Sequence, residues 1–216
     1  MRAFLFINDW PNETKLQCRA PVFSHANSFH LATIETMEIT PTALPGVLLI
    51  NPKVWSDARG FFLESWNESA FERAGLNIHF RQDNYSRSMR NVLRGLHYQL
   101  DRPQGKLVRC ARGAVFDVAV NLQRSSTAFG RWIGVELSES NHRMLWIPPG
   151  FGHGFLVISD EADVIYKTSE LYDADSDRAI LWNDPDLGIK WPLVDTPIVS
   201  AKDANARPLS AAELYS

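Results

Sequence analysis

Alternation of apolar and polar residues with a period of two is the sequence feature that most constrains this fold. Such alternation places one set of side chains on each face of a β-strand. The stretches that show it or carry short apolar runs are residues 116–122, 133–137, 145–147, 155–158 and 163–168. Turn residues such as Pro, Gly, Asn and Asp separate them. We predict an all-β protein, and a jelly roll is the natural candidate because its two sheets can enclose a ligand.

Helix signals are few. Asn67 can cap a helix over residues 68–74 that Gly75 ends, and residues 210–214 after Pro208 can form a second short helix. Residues 1–36, which include Cys18, His25 and His30, show no sustained period. We therefore predict that 1–36 is an N-terminal extension outside the core and that 37–216 is a single domain. The alternative is an ordinary N-terminal arm that packs against that domain.

Composition excludes several classes of function. A net charge of -3 without a Lys/Arg tract gives no reason to expect nucleic acid as a partner. The sequence has no apolar run long enough to span a membrane. Its two cysteines, Cys18 and Cys110, do not form a disulfide framework, and the N-terminus has no secretory signal. The expected location is the cytoplasm.

Two stretches carry unusual chemistry. His97 lies within residues 94–99, and Lys106 follows nine residues later. An imidazole suits a general base, and an ammonium can stabilise a developing oxyanion. His153 stands among three glycines in residues 148–155, with the Pro-x-Gly-x-x-His spacing of a cupin motif. Each histidine could instead be structural, held by hydrogen bonds.

A metal site is not expected here. Many cupins bind a transition metal through two neighbouring histidines, a glutamate and a later histidine. In this chain Gln99 occupies the second histidine position, no glutamate follows at the required spacing, and only His97 and His153 remain as ligands. Metal sites of this kind need three or more protein ligands. We predict that the protein uses no metal and no other cofactor.

The motifs read together resemble a family. They are residues 57–64, 82–84, 91–99, 104–109, 116–118, 145–148, 150–155, 166–167, 182–184, 189–192 and 200–203, in that order. From about Met37 to the end, the chain resembles the dTDP-4-dehydrorhamnose 3,5-epimerases of the cupin superfamily. The resemblance implies a cupin-type jelly roll, a homodimer, and an isomerase of dTDP-L-rhamnose and lipopolysaccharide biosynthesis. Its substrate would be a dTDP-4-keto-6-deoxyhexose.

The resemblance also implies roles for individual residues. His97 matches the general base, Asp203 the carboxylate that orients it, Tyr166 the acid on the opposite face of the sugar, and Lys106 the group that stabilises the enolate. Further positions match substrate-binding residues: Arg59, Glu64, Gln82, Asp83, Asn84, Arg94, Lys106, His153, Tyr172, Asp177 and Lys202. Asp177 stands where a glutamate is expected. Asp117 is a candidate to support His97 from behind, a role that we leave open between it and Asp203.

Three rival functions remain open. An epimerase acting at C3 alone or C5 alone would share the fold and most of the site. A metal-dependent cupin enzyme would need bound metal. A non-catalytic binder of nucleotide sugars would not exchange substrate hydrogens, and the complete set of base, acid and lysine argues against it.

Overall fold

The computed structural model describes residues 36–216, together with the backbone of Phe6–Ile7 and Ala32–Ile34. Cys18, His25 and His30 lie outside the described residues. Within these residues the strands are β1 Phe6–Ile7, β2 Ala32–Ile34, β3 Met37–Pro41, β4 Leu48–Pro52, β5 Val54–Asp57, β6 Gly60–Leu63, β7 Gln82–Met89, β8 Leu93–Gln99, β9 Lys106–Arg112, β10 Ala114–Asn121, β11 Trp132–Ser138, β12 Met144–Ile147, β13 Phe151–Val157, β14 Glu161–Thr168 and β15 Asp177–Ala179. Helix α1 spans Glu68–Arg73, α2 spans Ala201–Ala204, and a 3-10 helix spans Leu209–Ala211.

The strands form two antiparallel sheets and one hairpin. One sheet has the order β1-β11-β10-β13-β8-β15, and the other has the order β2-β3-β4-β12-β9-β14-β7. Strands β5 and β6 form a separate hairpin. Buried apolar residues of both sheets, such as Val108, Val135 and Val164, pack into one cluster. Two sheets facing each other around a shared core form a jelly roll, so the predicted all-β, cupin-type fold is confirmed.

Strand β10 is buried on both faces. The alternation of its residues places one set of side chains on each face, and all residues after Ala114 are buried. The outer face, including Val118 and Val120, is covered by the C-terminal part of the chain through residues such as Ile180 and Leu209. This covering matters for the site because it fixes the C-terminal segment, with α2, against the sheet.

The helices follow their capping signals. Asn67 Oδ1 accepts a hydrogen bond from Ala70 N at the start of α1, and Gly75 adopts φ +80 after its end. The α1 residue Phe71 is completely buried on the outer face of the second sheet, near Trp66. The predicted helix at 210–214 is instead a single 3-10 turn that begins at Leu209. Among the described residues, no helix has the length and apolar character required to cross a membrane.

The N-terminal segment touches the sheets at two places. The backbone of Phe6–Ile7 pairs with β11, and that of Ala32–Ile34 pairs with β3. Whether residues 1–36 are needed by the domain stays a prediction.

Candidate active site

A cavity of about 420 Å³ opens between the two sheets. Strands β8, β13 and β15 line one side and β7, β9 and β14 the other, with α2 at the rim. The lining residues are Gln82, Asn84, Ser86, Arg94, His97, Tyr98, Gln99, Gln104, Lys106, His153, Phe155, Tyr166, Tyr172, Asp177 and Lys202. Most of the predicted site residues are therefore brought together in one cavity.

Close approach of two strands sets the two histidines side by side. A Cβ atom added at Gly95 would lie 2.5 Å from the Cα of Gly154, and Gly95 adopts φ +125. Only glycine fits there, because other residues lack the space and rarely adopt that φ. In the resulting register His97 of β8 lies opposite His153 of β13. Gly152 and Gly154, on either side of His153, thus lie within β13 and allow close packing of strands, whereas Gly150 belongs to the turn before it and adopts φ +93.

His97 is held by a buried carboxylate. Its Nε2 lies 2.6 Å from Asp203 Oδ1, and the second carboxylate oxygen of Asp203 accepts a hydrogen bond from Gly95 N at 3.3 Å. Asp203 is 2% exposed on α2, whose N-cap Ser200 accepts from Asp203 N. Burial acts to raise the pKa of Asp203, but the hydrogen bonds from His97 and Gly95 outweigh it and hold the pKa below its usual value. Asp203 is therefore an anion that fixes the imidazole, with Nδ1 left to accept a proton.

Asp117 is hydrogen-bonded to the second histidine, His153. Its Oδ2 lies 2.9 Å from His153 Nε2, so the suggestion that it supports His97 is corrected. The reason is geometric: Asp117 lies on β10, which pairs with β13 and not with β8. Burial lowers the pKa of His153 although Asp117 opposes this effect. Among the described residues, Asp117 Oδ1 has no hydrogen-bond partner.

Lys106 is a buried amine at the base of the cavity. It is 8% exposed at the start of β9, and its Nζ donates to the carbonyl oxygen of His97 at 3.4 Å. Burial lowers its pKa to about 8, while Asp177 and Asp117 work in the opposite direction. A lysine with this pKa is still mostly protonated at neutral pH, and its charge faces little competing water.

Tyr166 reaches the cavity from the sheet opposite His97. It lies on β14, opposite Val108 of β9. Lys106 precedes Val108 by two residues on β9, so Tyr166 and Lys106 lie on the same face of the sheet. Its ring centroid is 6.5 Å from that of His153. Burial raises the pKa of Tyr166, which keeps the phenol protonated. A base from one sheet and a phenol from the other can address opposite faces of a flat ligand.

The rim of the cavity carries a polar chain. Lys202 Nζ lies 2.5 Å from Asp177 Oδ2, and the Tyr172 hydroxyl donates to the same oxygen at 3.1 Å. Gln82 accepts from the backbone N of Tyr172 at 2.9 Å and donates to Asn84 Oδ1 at 2.8 Å. These groups offer aromatic surface, positive charge and amides next to the buried base.

Three predicted binding residues lie outside the cavity. Arg59 extends from the β5–β6 hairpin and pairs with Asp57, and Glu64 accepts from Asn67 Nδ2 at 3.2 Å. Asp83 points to the opposite face of β7, where it pairs with Lys167. Period-two alternation explains the last case, since Gln82 and Asn84 face the cavity and the residue between them cannot.

Five lining residues were not predicted from the sequence to belong to the site: Ser86, Tyr98, Gln99, Gln104 and Phe155. Alternation along β7 was a usable signal for Ser86, which follows Gln82 and Asn84 at the same spacing. Its buried hydroxyl has no hydrogen-bond partner within the described part of the chain. Gln99 was noticed only as the residue that replaces a metal ligand.

The donor set around the histidines does not resemble a metal centre. Each imidazole is hydrogen-bonded through Nε2 to its own aspartate. Across residues 36–216, no cluster of three or more His, Cys, Asp or Glu side chains is placed to hold a metal ion.

Comparison with known proteins gives consistent matches. The family model described as dTDP-4-dehydrorhamnose 3,5-epimerase matches residues 41–211. A dTDP-4-dehydrorhamnose 3,5-epimerase of Pseudomonas aeruginosa is 51% identical over 180 residues, covering 83% of this chain and 99% of the relative. A dTDP-4-dehydrorhamnose 3-epimerase of Streptomyces niveus is 40% identical over 179 residues, covering 82% of this chain and 86% of the relative.

A solved structure matches the fold closely. It is a dTDP-6-deoxy-D-glucose-3,5-epimerase from Legionella pneumophila in complex with dTDP-4-keto-L-rhamnose, and it is 45% identical with a TM-score of 0.81. The match covers 83% of this chain and 97% of that chain. With the family model spanning most of the jelly roll, the chain belongs to the dTDP-4-dehydrorhamnose 3,5-epimerase family.

Proposed function

We propose that this protein is a dTDP-4-dehydrorhamnose 3,5-epimerase. It would convert dTDP-4-dehydro-6-deoxy-D-glucose to dTDP-4-dehydro-L-rhamnose by inverting C3 and C5. One observation carries the proposal: His97, held by Asp203 of α2, and Tyr166 come from opposite sheets and face the same cavity, which Lys106 also lines. Inversion beside a ketone needs a base on one face, an acid on the other, and a cation at the carbonyl oxygen.

Proton removal is the first step. The C4 ketone acidifies the hydrogens at C3 and C5, because loss of either gives an enolate. His97 Nδ1 takes the proton while Asp203 stabilises the imidazolium through Nε2. The electron pair of the broken C–H bond moves into the enolate, and its negative oxygen is stabilised by the Lys106 ammonium.

Proton return completes the inversion. The Tyr166 hydroxyl gives its proton to the same carbon from the opposite face, and the ketone re-forms. His97 then loses its proton to solvent and the tyrosinate regains one. The raised pKa of Tyr166 keeps the phenol protonated before the step and makes the tyrosinate a short-lived species.

The rim residues would bind the nucleotide part of the substrate. Tyr172 offers an aromatic face that is 58% exposed, suited to stacking on a pyrimidine base. Arg94 and Lys202 carry positive charge toward the cavity, as a diphosphate requires.

Arg59 and Glu64 support a homodimer. Both match substrate-binding motifs, yet the β5–β6 hairpin keeps them away from the cavity of their own chain. The hairpin also exposes Phe61 and Phe62, which are 61% and 65% exposed. A second copy that covers this hairpin would bury the two aromatic rings. Arg59 of one copy would then reach the cavity of the other copy. The expected compartment is the cytoplasm, where the thiol of Cys110 stays reduced.

The direct test is incubation with dTDP-4-keto-6-deoxyglucose in deuterated water, followed by NMR of the product. We expect deuterium at both C3 and C5 and a rhamno-configured sugar. If neither the C3 nor the C5 hydrogen exchanges, the proposal is contradicted and the protein is a non-catalytic binder. Loss of exchange after chelation, with recovery on adding one metal, would instead indicate a metal-dependent cupin.

An epimerase acting at one carbon is the second candidate. The 40% identical relative from Streptomyces niveus is named a 3-epimerase, so this family includes single inversions. The same NMR experiment separates the two functions, because a 3-epimerase would invert C3 and leave the C5 configuration unchanged.

A further inference from the structure

We propose that Gln99 is a positioning residue that fixes Tyr172 at the rim of the cavity. The inference rests on the proposed function, because it takes Tyr172 as the group that contacts the nucleotide. Gln99 occupies the position of a second histidine ligand in metal-binding cupins, and in this chain its amide performs a different task.

The amide of Gln99 is committed to protein backbone. The residue is 3% exposed at the end of β8. Its Nε2 donates to Arg102 O at 2.9 Å and to Leu171 O at 3.2 Å, and its Oε1 accepts from Asp173 N at 2.9 Å. Both donor hydrogens are therefore used, and no donor is left for a substrate.

These bonds bracket Tyr172. Gln99 donates to the carbonyl of Leu171, just before Tyr172, and accepts from the N–H of Asp173, just after it. Gln82 accepts from the N–H of Tyr172 itself. The ring of Tyr172 is largely exposed, so packing alone does not fix its direction. Its hydroxyl is hydrogen-bonded to Asp177, and the backbone from which the ring extends is held by two glutamines from two different sheets.

Gln99 also joins two connections that close the cavity. Its bond to Arg102 O reaches the segment after β8, and its bonds to Leu171 and Asp173 reach the segment after β14. The same two segments are linked by Gln104 Nε2 to Glu170 O at 2.8 Å. Gln99 is the buried one of these two cross-links, so water competes less for its bonds.

Replacing Gln99 by methionine keeps the length of the side chain and removes all three bonds. Two carbonyls and one N–H then lose their partner, and the backbone around Tyr172 gains freedom that ligand binding must remove again. We expect the Kd for dTDP to rise about tenfold, a size set by ordering on the order of one residue. The rate at saturating substrate should fall less than kcat/KM, because the base and acid are held elsewhere.

The test is a double-mutant cycle with dTDP as the calorimetric probe. The variants are Gln99→Met, Tyr172→Ala and the double variant, with Gln123→Met as the matched control. Gln123 also donates to a backbone carbonyl, that of Pro149, but it lies away from the cavity. We expect the double variant to bind dTDP no more weakly than Tyr172→Ala alone, and the control to bind as wild type.

Additive losses, or an unchanged Kd in Gln99→Met, would overturn the inference. A purely structural role would lower the melting temperature and the active fraction without changing Kd. If Gln99→Met does not fold, Gln99→Glu enters the same cycle, since it keeps the acceptor for Asp173 N and loses both donors. Wild-type protein that neither binds dTDP nor exchanges substrate hydrogens would refute the proposed function, whereas an additive cycle in an active enzyme refutes this inference alone.

Discussion

Replacing Asp203 by asparagine tests the role of the carboxylate that holds His97, because it changes a single atom from oxygen to nitrogen. The carboxylate accepts from two donors: His97 Nε2 at one oxygen and Gly95 N at the other. Asparagine has a single oxygen, so it can accept from only one of them. Shape and burial stay nearly the same, and the backbone N of residue 203 still donates to Ser200.

The size of the effect follows from this competition. If the amide oxygen turns to His97, the loss is that of a charged hydrogen bond, about 1.5–3 kcal/mol. At about 1.36 kcal/mol per factor of ten, exchange slows about tenfold to a hundredfold. If the oxygen turns to Gly95, the amide NH₂ faces Nε2 and forces the proton onto Nδ1, which can no longer act as a base. A wrong tautomer costs about 10⁴ in a serine-protease triad.

The assay is the initial rate of deuterium incorporation at C3 and C5, with Asp186→Asn as the control. Asp186 is an exposed carboxylate whose change to asparagine should leave the rate as in wild type. A melting curve verifies that the Asp203→Asn protein is folded. An Asp203→Asn rate close to that of wild type would refute the role assigned to the His97–Asp203 pair.

Three further predictions concern other parts of the molecule. His97→Ala should slow exchange at both carbons by about a hundred- to ten-thousandfold while dTDP still binds, and exchange at the wild-type rate would remove His97 from its role. Burial sets the pKa of Lys106 to about 8, so its ammonium is lost as pH rises through that value and turnover should fall there. A pH–rate profile that stays flat up to the ordinary lysine pKa of about 10.4 would contradict this. A chain that begins at Met37 should keep its melting temperature and turnover, and a large loss in either would show that residues 1–36 belong to the fold.

Much of the fold could be predicted because local signals agree with it. The alternation around Val118 and Val135 identified strands, and Asn67 with Gly75 identified a helix. The sequence could not reveal that both faces of β10 are buried, because the covering residues come from the distant C-terminal segment. The short helix that carries Asp203 was not predicted for a different reason, because four residues are too few to show a periodic pattern.

The sequence predicted which residues form the site better than it predicted which aspartate is hydrogen-bonded to which histidine. The motifs around His97, Lys106, His153 and Tyr166 pointed to residues that line one cavity. Which aspartate supports which histidine depends on strand order, and β10 lies beside β13 rather than β8. Sequence motifs carry no information on that order. They also gave no sign that the hairpin with Arg59 points away from the cavity of its own chain.

The central claim is that His97 removes a proton on one face and Tyr166 returns one on the other. Tyr166→Phe tests it directly, because the ring is kept and only the phenolic proton is lost. The measurement is the ratio of deuterium entering recovered substrate to rhamno-configured product, followed by NMR in deuterated water. The account predicts that this ratio rises, since the enolate still forms at His97 and is reprotonated from the same side. An unchanged ratio in the folded variant would contradict the account.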